Sequence, residues 1–75
     1  MSSNVLRDGW VMSRNNTYDF WKDQRWVAVI EHMGMYWRIT YRDPTMKRVT
    51  INGNAPRDFV MHKAEFDLKK KGRIV

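Results

Sequence analysis

The sequence predicts an α+β domain that is mainly β: an antiparallel meander of four or five strands followed by one C-terminal helix over about residues 55–71. Three observations carry this expectation. Apolar and polar residues alternate with the period of two that a half-buried strand requires, most clearly in Tyr36-Trp37-Arg38-Ile39-Thr40-Tyr41-Arg42. Turn-forming stretches cut the chain at short intervals, at Asn15-Asn16, Lys22-Asp23-Gln24, Met33-Gly34, Asp43-Pro44 and Asn52-Gly53-Asn54. Beyond the last turn the spacing changes, and Val60, Met61, Ala64 and Leu68 fall on one face of a helix.

In chain order, residues 9–14 and 17–21 make a first hairpin through Asn15-Asn16, with Trp10, Met12, Phe20 and Trp21 helping to close the core. Trp10 and Trp21 are equally compatible with exposed interface anchors. Trp26-Val27-Ala28-Val29-Ile30 is apolar on both faces and rich in β-branched residues, as a central strand would be, and Trp26 and Trp37 read as core. Trp37, Ile39 and Tyr41 share one face of the next strand. Two registers match apolar faces across this hairpin. A two-residue turn at Met33-Gly34 sets Ile30 against Trp37 and Arg25 against Arg42. A four-residue loop sets Glu31 against Arg38, avoids Met at a positive φ and separates the two arginines.

The following hairpin turns at Asp43-Pro44, where proline presets φ. A loop of three or five residues keeps Val49 and Ile51 on the face of Ile39, and Arg48 and Thr50 on the other. In the helix, Asn54 is the expected cap, with Pro56 in the first turn and Asp58 near the N-terminal end. Lys69, Lys70 and Lys71 suit its C-terminal end and Gly72 its stop. Glu65–Lys69 and Asp67–Lys71 have pairing distance i,i+4. Phe59 and Phe66 lie nearly opposite the apolar face, which keeps a strand at 64–68 as the alternative. The helix covers the apolar face of the three-stranded sheet, and the strands curl into an incomplete SH3-like barrel.

With 75 residues, the chain 1–75 is expected to form one domain. So small a domain buries only about 60% of its unfolded surface, so its core must be dense in large side chains. Four Trp, three Tyr and three Phe meet that need. There is no cysteine, which excludes disulfides and thiolate chemistry. No apolar run approaches the ~20 residues of a membrane span, and the first ten residues lack a signal-peptide pattern. A cytoplasmic protein is expected (host cytoplasm if phage-encoded), with no membrane association.

The net charge is +6, and all of the excess lies in residues 38–75. Such asymmetry points to an acidic partner, nucleic acid being the commonest. Catalysis finds no pattern. His32 and His62 read as surface residues, Ser2, Ser3 and Ser13 have no patterned base, and the four glycines are isolated. The chain is therefore read as non-enzymatic, with no metal and no cofactor.

One constellation has a mechanism. The second face of the central sheet gathers Arg25, Arg38, Arg42 and Arg48, interleaved with Tyr36, Thr40 and Thr50. Arginine forks grip phosphate, threonine donates to it, and tyrosine stacks on bases. Lys69, Lys70 and Lys71 would add phosphate contacts. Five engaged phosphates would give a log–log salt slope of about −4 to −5. The plainer reading is an ordinary solvated face, since Arg and Thr are common there.

Residues 25–71 resemble two β-sheet DNA-binding architectures, and the run from Arg25-Trp26-Val27-Ala28-Val29-Ile30 through Asn54-Ala55-Pro56-Arg57-Asp58-Phe59 is similar to the first in element order and turn placement. One is the small archaeal chromatin proteins. The other is the three-stranded-sheet-plus-helix domain of plant transcription factors and phage integrase arms. The resemblance implies a DNA-binding sheet. The expectation is a small basic protein that binds nucleic acid, DNA rather than RNA, as monomer or homodimer. The alternative is a small phage-type inhibitor or adaptor that seats an exposed Arg/Trp surface on an acidic patch of a larger protein.

Overall fold

Each turn marked in the sequence closes a connection in the computed structural model, which describes residues 6–75. The elements are β1 (Trp10–Arg14), β2 (Thr17–Lys22), β3 (Arg25–His32), β4 (Tyr36–Tyr41), β5 (Val49–Asn52) and α1 (Arg57–Lys70). The strands form one antiparallel sheet in the order β1-β2-β3-β4-β5, with β1 and β5 as its two edges. It is an open, incomplete barrel-like sheet with a helix on one face, an α+β fold.

The β2–β3 turn has both central residues, Asp23 and Gln24, at positive φ (53° and 64°). That is the primed geometry whose twist matches flanking strands. Between β3 and β4 the four-residue register holds: His32 faces Trp37, Ile30 faces Ile39 and Glu31 faces Arg38. Gly34, at φ 95°, supplies the left-handed residue that Met33 could not adopt without strain. Across β4 and β5, Ile39 faces Val49 and Trp37 faces Ile51, so the faces match as expected. The connection is longer than three or five residues, because residues 42–48 all stay outside the strands. Asp43 accepts hydrogen bonds from the Thr45 N–H (2.9 Å) and hydroxyl (2.8 Å), which holds the chain in a side-chain-closed turn.

Alternation along these strands builds one apolar face of Trp10, Phe20, Ala28, Ile30, Trp37, Ile39 and Tyr41, all buried. On it lies α1, a helix throughout 64–68, through Val60, Met61, Ala64 and Leu68. Full burial of such side chains contributes about 1.5–3 kcal/mol each for all but the alanine. The helix ends as Gly72 requires. Gly72 takes φ 73°, its N–H bonds the Lys69 carbonyl (2.9 Å), and the Arg73 N–H bonds the Leu68 carbonyl (2.8 Å). These two bonds are the Schellman pattern.

Five expectations need correction. Met12, expected to help close the core, is 57% exposed on the edge strand β1. Asn54 does not cap α1. Pro56 occupies the cap position without a side-chain hydrogen bond, because Asn52 Oδ1 instead accepts the Asn54 N–H (2.8 Å) and folds the chain one turn earlier. The i,i+4 pairs expected of Glu65 with Lys69 and of Asp67 with Lys71 give way to other partners, of which only Lys63–Asp67 is an i,i+4 pair. Glu65 receives Arg7 and the Trp10 indole, and Asp67 receives the Tyr41 hydroxyl and Lys63. His32 is half-buried rather than a surface residue, its Nε2–H directed to the Gly53 carbonyl (3.0 Å) and its ring edge-on to Trp37. Trp26 is not core but 38% exposed. The register shifts between Phe20 and Trp21, so Trp21 falls opposite Trp26 at the end of the sheet. Of the candidate nucleophiles, Ser2 and Ser3 lie outside the described residues.

Candidate nucleic-acid interface

Antiparallel connectivity decides where the charge goes. The β2–β3 turn, the end of β4 and the long β4–β5 connection all emerge at one end of the sheet. The C-terminal end of α1 arrives there too. Arg73 donates a hydrogen bond to Asp43, the Tyr41 hydroxyl donates one to Asp67, and one cleft is lined by Trp26, Arg42, Pro44, Leu68 and Arg73 together. A second cleft joins Lys22 and Trp21 to Lys69, and a third joins Lys47 to Lys70 and Lys71.

This pole therefore carries Arg7, Lys22, Arg25, Arg42, Lys47, Arg48, Lys69, Lys70, Lys71 and Arg73, ten of the fourteen Lys and Arg, against Asp8, Asp23, Asp43, Glu65 and Asp67, which line the same clefts. The balance there is +5. The other four cations meet three acids, a balance of +1, which restores the +6 of the whole chain. Asp43 is itself occupied. The Thr45 N–H and hydroxyl, then the Arg73 guanidinium, hold its carboxyl down at about 2. It thus stays ionised while fixing the loop against the helix end.

Of the sequence-derived site residues, Arg25, Arg42, Arg48, Lys69, Lys70 and Lys71 are brought together at this pole. Tyr36, Arg38, Thr40 and Thr50 lie on the sheet face away from the helix, where Tyr36 is opposite Asn52 and Arg38 opposite Thr50. Arg38 is engaged there: its Nε (3.1 Å) and terminal NH2 (2.7 Å) both reach Glu31 Oε1, and the pairing raises the guanidinium pKa. With Val27 and Val29 on the same strand face, that surface holds one neutralised arginine rather than four free ones.

Sequence reasoning passed over Lys22, Lys47 and the Trp26 ring. Trp21 and Trp26 are 43% and 38% exposed, whereas Trp10 and Trp37 are buried. Their rings stack with centroids 6.3 Å apart and planes 20° apart, and the Arg42 guanidinium lies 4.1 Å from the centre of the Trp26 ring. The signal was present in Phe20-Trp21: two large aromatics in succession cannot both face one side of a regular strand.

No family profile, no curated protein and no solved structure matches this chain. The site must be read from its own chemistry. It is a cationic end of the fold that carries two stacked, partly exposed indoles, and among the described residues only Arg7 and Arg73 of its cations are in ion pairs.

Proposed function

We propose that this protein is a small non-enzymatic nucleic-acid-binding protein whose phosphate contacts come from the basic pole. The observation that carries the reading is the charge balance: +5 at one end, +1 over the rest. A concentrated cationic surface recruits polyphosphate by releasing condensed counterions, and it needs no sequence motif. Arginine at Arg25, Arg42 and Arg48 suits forked phosphate contact, and the lysines supply point charges. The sheet's open face contributes less, since Arg38 is paired with Glu31.

Binding of a labelled random-sequence oligonucleotide, measured against salt, tests this. Replacing Lys70 and Lys71 by Glu should abolish binding at moderate salt, whereas Arg14→Ala, away from the pole, should leave it unchanged. Absence of binding even at low salt would sink the reading.

A second reading, an adaptor for a larger protein, is favoured by a separate feature. Phe59 and Phe66, seven residues apart on the outer side of α1, are 55% and 52% exposed. A stoichiometric partner retained after nuclease treatment, and lost in Phe59→Ala/Phe66→Ala, would support it.

A further inference from the structure

We infer that Trp21 is a stacking platform for an unpaired base, so that the pole takes single-stranded nucleic acid in preference to duplex. This rests on the nucleic-acid reading above and names the form of the ligand. The strand order β2-β3-β4 sets the three groups side by side: Trp21 from β2, Trp26 from β3, and Arg42 just beyond β4. Trp26 is thus flanked by an indole on one side and a guanidinium on the other. Its ring is also anchored, since its indole N–H is donated to the Ala28 carbonyl at 3.2 Å. Trp21 is the open end of this stack, nearly half exposed, with no hydrogen bond holding its ring to the protein among the described residues.

The stack already built from Trp26 and Arg42 orients Trp21 before any ligand arrives. A base laid on Trp21 would extend the series by one ring. The cleft beside Trp21 holds Lys22 and Lys69 together with Asp8, Asp23 and an Arg7–Glu65 ion pair, so Lys22, the next residue, and Lys69 are the groups there that a flanking phosphate would seek. Duplex DNA offers its π-faces only at its ends, so an exposed stacking platform on the side of a binding surface suits an unpaired strand. Stacking on one aromatic ring raises affinity by about 5- to 100-fold and tolerates any base, because every base has a π-face. The other exposed aromatics lie away from this cluster, Phe59 and Phe66 on the outer side of the helix and Tyr36 at the far end of β4.

The test compares the full chain with a fluorescein-labelled deoxythymidine oligomer, the matching uridine oligomer and a duplex of equal length, by anisotropy at fixed salt. The single strands should bind more tightly than the duplex and quench the intrinsic tryptophan emission. Trp21→Ala should weaken single-strand binding about 5- to 100-fold while leaving duplex binding and the salt slope unchanged. Trp21→Phe, which keeps a ring, should retain most of the affinity and lose part of the quenching. Equal affinity for thymidine and uridine strands marks recognition that ignores the sugar, and a difference between them identifies the preferred polymer.

If duplex binds as tightly as single strand, or Trp21→Ala weakens both alike, the stacking inference fails while pole-driven binding stands. If neither form binds at low salt, both fall together. An oligoglutamate of equal charge binding as well as the oligonucleotides makes the pole a site for acidic protein and overturns the inference.

Discussion

At the scale of single residues, the long-range polar contacts were the least legible part of the molecule. Glu65 lies four residues before Lys69, and sequence spacing pairs them. In the fold, Glu65 instead accepts the Arg7 Nε (3.1 Å) and NH2 (2.7 Å) and the Trp10 indole N–H (2.7 Å). The partners are more than fifty residues away, and no local period encodes them. Burial pushes the Glu65 pKa up, but the hydrogen bonds from Arg7 and Trp10 outweigh it, so the carboxyl lies below the usual glutamate range. A carboxylate whose folded pKa is depressed binds fewer protons folded than unfolded, so stability rises with pH through that window. The contribution is complete above the unfolded value of about 4.3 and is lost as pH falls through the folded one. Asp43, held at about 2, acts in the same direction. Urea melts at pH 7 and pH 3 should therefore show a clear loss of stability in acid. Glu65→Gln should cost about 1–3 kcal/mol at pH 7, because two donors lose a charged acceptor, and should flatten the acid dependence. An unchanged pH profile in that variant would mean the contact is not formed in solution.

At the scale of elements, alternation and turn chemistry predicted nearly every strand and the register of the β3–β4 hairpin. The helix was legible from Val60, Met61, Ala64 and Leu68, which are its four buried residues. What alternation could not reveal was the irregularity between Phe20 and Trp21, because a bulge changes the period only where pairing demands it. That single shift moved Trp26 out of the core and made the indole pair. The helix faces are tested by contrast. Leu68→Ala should destabilise by about 2–5 kcal/mol, as core truncations do, whereas Phe66→Ala on the outer side should fall within about 0.5 kcal/mol. Equal losses would contradict the assigned packing. The β2–β3 turn offers a gain. Gln24 occupies a left-handed conformation that costs a side-chain-bearing residue about 1–2 kcal/mol, and glycine there avoids it. Gln24→Gly should raise the melting temperature by several degrees, a shift of about 1 kcal/mol in a domain of this size being worth roughly 4–8 °C.

At the scale of the whole molecule, the chain shows its charge imbalance as a difference between halves, and folding converts that difference into a direction. Lys22 and Arg25 belong to the neutral half of the sequence, yet the meander returns them to the end where α1 terminates. No segment-by-segment reading could have grouped them with Arg73, because the grouping follows from where two connections and the end of the helix emerge. The consequence is a quantitative expectation about salt. If about five of the ten pole cations engage phosphates of a single strand, the log–log salt slope should be about −3.5, shallower than the −4 to −5 for duplex. Lys70→Ala/Lys71→Ala removes two such contacts and should reduce the slope by about 1.4. Arg14→Ala, a change of one charge elsewhere, should not alter it, and neither should Trp21→Ala, because stacking releases no counterions. Slope and affinity thus separate the two parts of the pole. The lysine pair changes both, and the indole changes affinity alone. A slope that follows total net charge regardless of position would mean that binding is governed by the molecule's overall charge and not by this end of the fold.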